Sequence, residues 1–96
     1  MIMVKSMNIK FAKKFVKQYS KAPLKIQKAF DKRLKIFVDS PYHSLLNNHS
    51  LVGEYSRYRS INITGDWRAI YLESEERNKV KVAIFVVLGT HSRLYK

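Results

Sequence analysis

Phe11, Phe15 and Tyr19 recur at four-residue steps with Lys13, Lys14 and Lys17 between them. That period predicts an amphipathic helix with a lysine-coated outer face. Ser20-Lys21-Ala22-Pro23 interrupts it, because proline cannot continue a helix but suits the first turn of the next one. Ile26, Phe30, Leu34 and Phe37 then fall at steps of four, four and three. They mark a second amphipathic helix running to about Val38 and stopped by Ser40-Pro41. Ahead of both helices, Met1–Phe11 is rich enough in apolar and β-branched residues for a strand within residues 2–10.

The second half has the period of strands. Across residues 55–63, Tyr58, Ser60 and Asn62 alternate with Arg57, Arg59, Ile61 and Ile63. Thr64-Gly65-Asp66 is a tight-turn signal and Trp67–Leu72 a second strand. The run Glu73-Ser74-Glu75-Glu76-Arg77-Asn78 is expected to be a charged turn. Lys79–Leu88 is the most apolar strand and the one expected to be most buried. Two helices joined by so short a turn should lie as a hairpin on a sheet. The expected fold class is therefore α+β: a two-layer domain in the order β-α-α-β-β-β, with the helical hairpin packed on a mostly antiparallel sheet. At 96 residues, the chain makes one domain, residues 1–96.

Composition narrows the function classes. With 46% hydrophobic residues the chain can bury a core, so wholesale disorder is excluded. No apolar run approaches the roughly 18–20 residues of a membrane span, and the first residues lack the apolar stretch of a secretion signal; a cytoplasmic protein without membrane partners is expected. With 0 cysteines there is no disulfide framework and no thiolate metal site. The net charge is +12 and unevenly spread. Residues 1–38 hold eleven lysines and arginines against Asp31 alone, a net of +10; the remainder holds eight against six acids, a net of +2. Such a field favours a polyanion, above all nucleic acid, or an acidic protein partner. A merely solvated basic face is the alternative for Lys13 and Lys17.

His49, Arg59, Asp66, Arg68 and His91 are the candidate groups for chemistry, with Ser60, Asn62 and Tyr95 in support. A ribonuclease without a metal must help deprotonate a 2′-hydroxyl, stabilise charge on the phosphorane and protonate the 5′-oxygen that leaves. Histidines suit the proton transfers and arginines the charge. Each residue also has a plain structural alternative. His49 lies in a polar loop, Asp66 in a turn, His91 at a strand end, and the arginines have Glu54, Asp66 and Glu73 as possible partners. The 3 histidines lack close ligand spacing, so neither a metal nor a cofactor is expected.

Four segments carry a resemblance: His49-Ser50-Leu51-Val52-Gly53, Tyr58-Arg59, Gly65-Asp66-Trp67, and Gly89-Thr90-His91-Ser92-Arg93-Leu94-Tyr95. In this order they resemble the YafQ-like branch of the RelE/ParE toxin superfamily, whose members are messenger-RNA interferases. The resemblance covers most of the chain and implies a RelE-like domain acting as the toxin of a type II toxin–antitoxin system. It implies a ribosome-dependent endoribonuclease without cofactors, whose partners are a cognate antitoxin, the ribosome and messenger RNA. Carried over residue by residue, it places His49, Asp66, Arg68, His91 and Tyr95 in catalysis. Arg59, Asn62, Lys13, Lys17 and Arg93 are expected on the RNA. Two positions depart from the branch: Ser60 and Asn62 stand where Asp and His are common, and neither relays a proton as those would. The alternative within the same fold is a non-catalytic module, either a ParE-like gyrase inhibitor or an RNA-binding protein.

Overall fold

The computed structural model describes residues 7–94 of the chain. β1 (Asn8–Phe11) leads into α1 (Lys13–Lys21) and α2 (Leu24–Asp39), followed by the short edge strand β2 (His49–Ser50). β3 (Tyr58–Asn62), β4 (Trp67–Glu75) and β5 (Lys81–Thr90) complete the sheet, and α3 (His91–Leu94) is a single turn of helix after it. The strand order is β1-β5-β4-β3-β2. β1 runs parallel to β5, and the other neighbours are antiparallel. The expected α+β architecture is present, with β2 and α3 added to the expected order.

The helices meet through aromatic rings. Phe15 of α1 and Phe30 of α2 lie 5.1 Å apart between centroids, and Phe85 of β5 is 5.7 Å and 5.5 Å from them. Phe37 and Tyr71 extend the cluster at 4.9 Å. Edge-to-face packing of this kind adds roughly 0.5–1.5 kcal/mol per pair beyond burial. Pro23 caps α2, and Gln27 Nε2 donates to the carbonyl oxygen of Tyr19 at 2.8 Å, satisfying the end of α1. Because β1 stops at Phe11, the upper part of β5 has an open edge. There α1 substitutes for the missing strand: Gln18 Oε1 accepts the Leu88 N–H at 2.8 Å.

Several boundaries differ from the sequence expectation. The first strand was expected within residues 2–10; the described part of it is Asn8–Phe11, and residues 2–6 lie outside the described residues. Phe11 closes that strand instead of opening the helix. Its ring still stacks on Phe15 at 5.4 Å, which is why it fits the helical period. The charged run does not stop β4: Glu73, Ser74 and Glu75 pair with Ala83, Val82 and Lys81, and Glu73 faces Lys81 Nζ at 3.6 Å. Opposite charges across a ribbon support pairing, so the turn falls at Arg77–Lys79, where Lys79 takes a positive φ of 59°. The strand expected over residues 55–63 begins only at Tyr58; Tyr55 instead closes a 3-10 turn, Gly53–Tyr55, entered through Gly53 at φ 68°.

Cross-strand partners share a face of the sheet. Ile61, Ala69 and Leu88 pair across three strands and join the helix-facing core. The opposite face therefore carries His49, Ser60, Ile70 and Val87 in one row, and Asn62, Arg68 and Gly89 in the next.

Candidate active site

The turn between β3 and β4 organises one end of that open face. Ile63 N–H donates to Trp67 O at 2.8 Å, and Trp67 N–H donates to Thr64 Oγ1 at 3.2 Å. Asp66 presents its carbonyl oxygen to the backbone N–H of His91 at 2.6 Å, tying the first residue of α3 to the turn. Arg68 sits in register between Asn62 and Gly89. Its Nη1 donates to the carbonyls of Thr64, Gly65 and Trp67 at 3.1, 3.2 and 3.2 Å. Nη2 and Nε make no hydrogen bond among the described residues, so part of a rigidly held guanidinium faces outward.

Gly89 explains how His91 comes to this end. A Cβ built on it would meet Leu94 Cδ2 at 3.2 Å. The missing side chain lets α3 fold back so that Leu94 rests against the strand. The Gly-Thr-His-x-x-Leu segment is thus a packing device that presents exposed His91 beside the β3–β4 turn. Asp66 contributes to this through its backbone, and its carboxylate is exposed. Arg93 is also exposed on α3. Tyr95 lies outside the described residues.

His49 is held elsewhere. It opens β2, opposite Ser60, so three strand spacings of about 4.8 Å separate its strand from β5, roughly 14 Å in all. The structure thus places the two histidines on opposite flanks of the Asn62–Arg68 pair. His49 Nδ1 lies 2.8 Å from the carbonyl oxygen of Asn47. In the neutral ring Nδ1 is then the donor and Nε2 the free base. The neighbouring Asn48 fixes this loop. Its Nδ2 donates to Tyr71 Oη at 2.8 Å and to Pro41 O at 2.9 Å, and its Oδ1 accepts from Arg59 Nε at 2.7 Å. Burial holds the Tyr71 phenol above its ordinary pKa, with the Asn48 hydrogen bond working against that rise.

Arg59, expected on RNA, belongs to this network. It lies on the helix side of β3, bonded to Asn48 and 5.1 Å from the Tyr42 ring centroid. His43 is also structural, its Nδ1 accepting the Leu45 N–H at 3.1 Å. Ser60 is fully buried at 0% exposure, and Asn62 Oδ1 is buried without a hydrogen-bond partner among the described residues. Lys13 and Lys17 are exposed along α1, away from the open face. No group of three or more potential ligands gathers among the described residues, and no described helix is long and apolar enough to cross a membrane.

A family model for the bacterial toxin of type II toxin–antitoxin systems, YafQ, matches residues 7–96. The chain belongs to the YafQ toxin family. No curated protein matches the sequence significantly. Among solved structures, YafQ from E. coli strain BL21(DE3) is similar at 21% identity and TM-score 0.66, covering 94% of this chain and 99% of that one. A YoeB/ParE toxin from Agrobacterium tumefaciens reaches TM-score 0.72 at 16% identity, over 88% and 99%. The archaeal RelE–RelB complex from Pyrococcus horikoshii OT3 reaches 0.68 at 21%, over 92% and 98%. At such identities the neighbours establish a RelE-like fold for this YafQ-family toxin, while its site is described by its own residues.

Proposed function

We propose that this toxin is a ribosome-dependent endoribonuclease that cleaves messenger RNA by acid–base chemistry without a metal. The supporting observation is the juxtaposition at the β3–β4 turn: His91 tied to Asp66 at 2.6 Å, beside an Arg68 whose Nη1 is anchored on three turn carbonyls. A phosphate seated there would meet the outward edge of the guanidinium, which neutralises the phosphorane as the 2′-oxygen attacks. His91 would protonate the departing 5′-oxygen, leaving a 2′,3′-cyclic phosphate and a 5′-hydroxyl. His49 acts from the other flank, with Nε2 as the acceptor of the 2′-hydroxyl proton. Tyr95 is assigned to stacking on a base, and Arg93 and Asn62 to holding the strand.

The cognate antitoxin is the second partner of this reading. Neighbouring structures include an E. coli DinJ–YafQ complex and the archaeal RelE–RelB complex. The basic surface of this chain suits a partner richer in acids.

The test is cleavage of a message on translating ribosomes. Parent protein should cleave, and His91→Ala should lose about 10²–10⁴ in rate, the usual worth of one general acid. His49→Ala should lose a comparable factor. Parent-like cleavage by His91→Ala refutes the assignment, and a rate that follows added Mn²⁺ or Zn²⁺ at constant Mg²⁺ refutes metal independence. A parent that is toxic but leaves messages intact would point to the non-catalytic alternative.

A further inference from the structure

We infer that the cleft between α2 and the β3–β4 turn is a second nucleotide site, taking the message strand where it leaves the cleavage end of the sheet. This rests on the ribonuclease proposal and adds to it the path of the RNA beyond the scissile phosphate.

The cleft encloses about 740 Å³, walled by Lys25, Lys28, Lys32 and Arg33 on one side and by Ile63 and Thr64 on the other. Its volume is in the range of small-molecule sites, roughly 300–1,000 Å³. Lys25, Lys28 and Lys32 follow at steps of three and four, so they share one face of α2 with Cβ atoms roughly 5–6 Å apart. That spacing is close to the repeat of a nucleic-acid backbone. None of the three ammonium groups has an ion-pair partner among the described residues; the ion pairs seen there are Lys10–Glu76 and Lys81–Glu73. Asp31, the acid within this stretch of α2, turns the other way and accepts the Tyr19 hydroxyl at 2.9 Å. Charge on the cleft wall is therefore uncompensated.

The cleft is also built to persist. Arg33 Nη1 donates to the carbonyl oxygen of Leu45 and, at 3.5 Å, to that of Asn62, fastening α2 to β3. Leu24, 64% exposed, and partly exposed Ala29 supply the apolar surface of the cleft, Ile63 being buried behind it. A nucleotide is matched by that combination: apolar wall for sugar and base, cations for phosphate. Thr64 connects the two sites, lining the cleft while its carbonyl holds Arg68 Nη1 at 3.1 Å. Asn62 does the same from β3, with its backbone on Arg33 and its side chain on Arg68's face. An RNA strand with its phosphate at Arg68 needs only to pass around this turn to reach the lysines.

The experiment uses fluorescein-labelled 2′-O-methyl oligonucleotides, which lack the attacking hydroxyl, at lengths of about four and about ten nucleotides. Binding is measured across a salt series. Three extra phosphates at roughly 0.7 log units each should steepen the salt slope of the longer one by about 2, or about 20-fold between 50 and 200 mM salt. Lys25→Gln with Lys28→Gln and Lys32→Gln should remove that extra slope and leave the shorter oligonucleotide unaffected; the Glu versions should reverse it. A variant that keeps the full length-dependent gain overturns the inference. So does one that keeps it while losing affinity for empty ribosomes, which would assign the cleft to ribosomal RNA. If the parent binds neither length, the cleft falls while the ribonuclease proposal is still judged by cleavage on ribosomes; loss of the length effect alone likewise refutes only the cleft.

Discussion

Asn48→Ala should damage the fold and the candidate site together, and the structure sets the size of the effect. Asn48 makes three hydrogen bonds of 2.7–2.9 Å, to Tyr71, Pro41 and Arg59. Pro41 and Arg59 are partly exposed, so water replaces much of what they lose. Tyr71 is 0% exposed, so its hydroxyl is left buried and unpaired. That costs about 1–3 kcal/mol, and with the two weaker losses the variant should be destabilised by about 2–3 kcal/mol. For a domain of this size the melting temperature falls by roughly 10–20 °C. Tyr71→Phe, which removes the hydroxyl and leaves Asn48 Nδ2 still bonded to Pro41 O, should cost only about 1 kcal/mol. In that background Asn48→Ala should become milder by about 1–2 kcal/mol, a coupling that urea denaturation of the four proteins in the cycle measures. Parent-like stability of Asn48→Ala, or strict additivity with Tyr71→Phe, refutes the claim that this network holds the loop. Well below the melting temperature, Asn48→Ala should also cleave more slowly, and adding it to His49→Ala should cost little more.

Two further outcomes follow from packing and burial. Gly89→Val should push Leu94 and α3 off the strand, cutting cleavage to near the His91→Ala level while far-ultraviolet circular dichroism stays close to that of the parent; undiminished cleavage would show that the contact does not position His91. Because the folded-state pKa of Tyr71 is raised, its stabilising contribution is whole below about pH 10 and is lost as pH rises through the folded value, since the unfolded chain releases the proton first. Melting temperatures should fall more steeply with alkalinity in the parent than in Tyr71→Phe, and equal slopes would contradict the burial of the phenol.

Periodicity made the helices and the three long strands legible, because each buries one face against the same aromatic cluster. Alternation along β3 also carried the information that Arg59 shares a side with Ile61 and Ile63, and so points toward the helices, where it bonds Asn48. What the sequence withheld are features made by distant partners. Asn48 acquires its importance from Pro41, Arg59 and Tyr71, which stand 7, 11 and 23 positions away. The cleft on α2 exists because the β3–β4 turn comes to rest beside it, which no local pattern on α2 announces. Charge in Glu73–Glu75 resembled a turn because composition does not reveal that Lys81 would lie opposite.

The two departures from the YafQ-branch pattern now have a physical meaning. Ser60 is completely buried and Asn62 Oδ1 is enclosed without a hydrogen-bond partner among the described residues, and neither side chain is of a kind that relays a proton. In the proposed mechanism proton transfer is therefore assigned to its flanks, His91 beyond β5 and His49 on β2, with Arg68 between them. A centre of this kind depends on how accurately RNA is held across it, since neither histidine touches the other or reaches the scissile phosphate through an intermediate relay. That dependence favours a substrate presented already ordered, as a ribosome presents a codon, over a free flexible strand. It also gives the uncompensated lysines of α2 a purpose that a solvated face would not have: a strand anchored on both sides of the β3–β4 turn has less freedom to lose when its phosphate settles against Arg68.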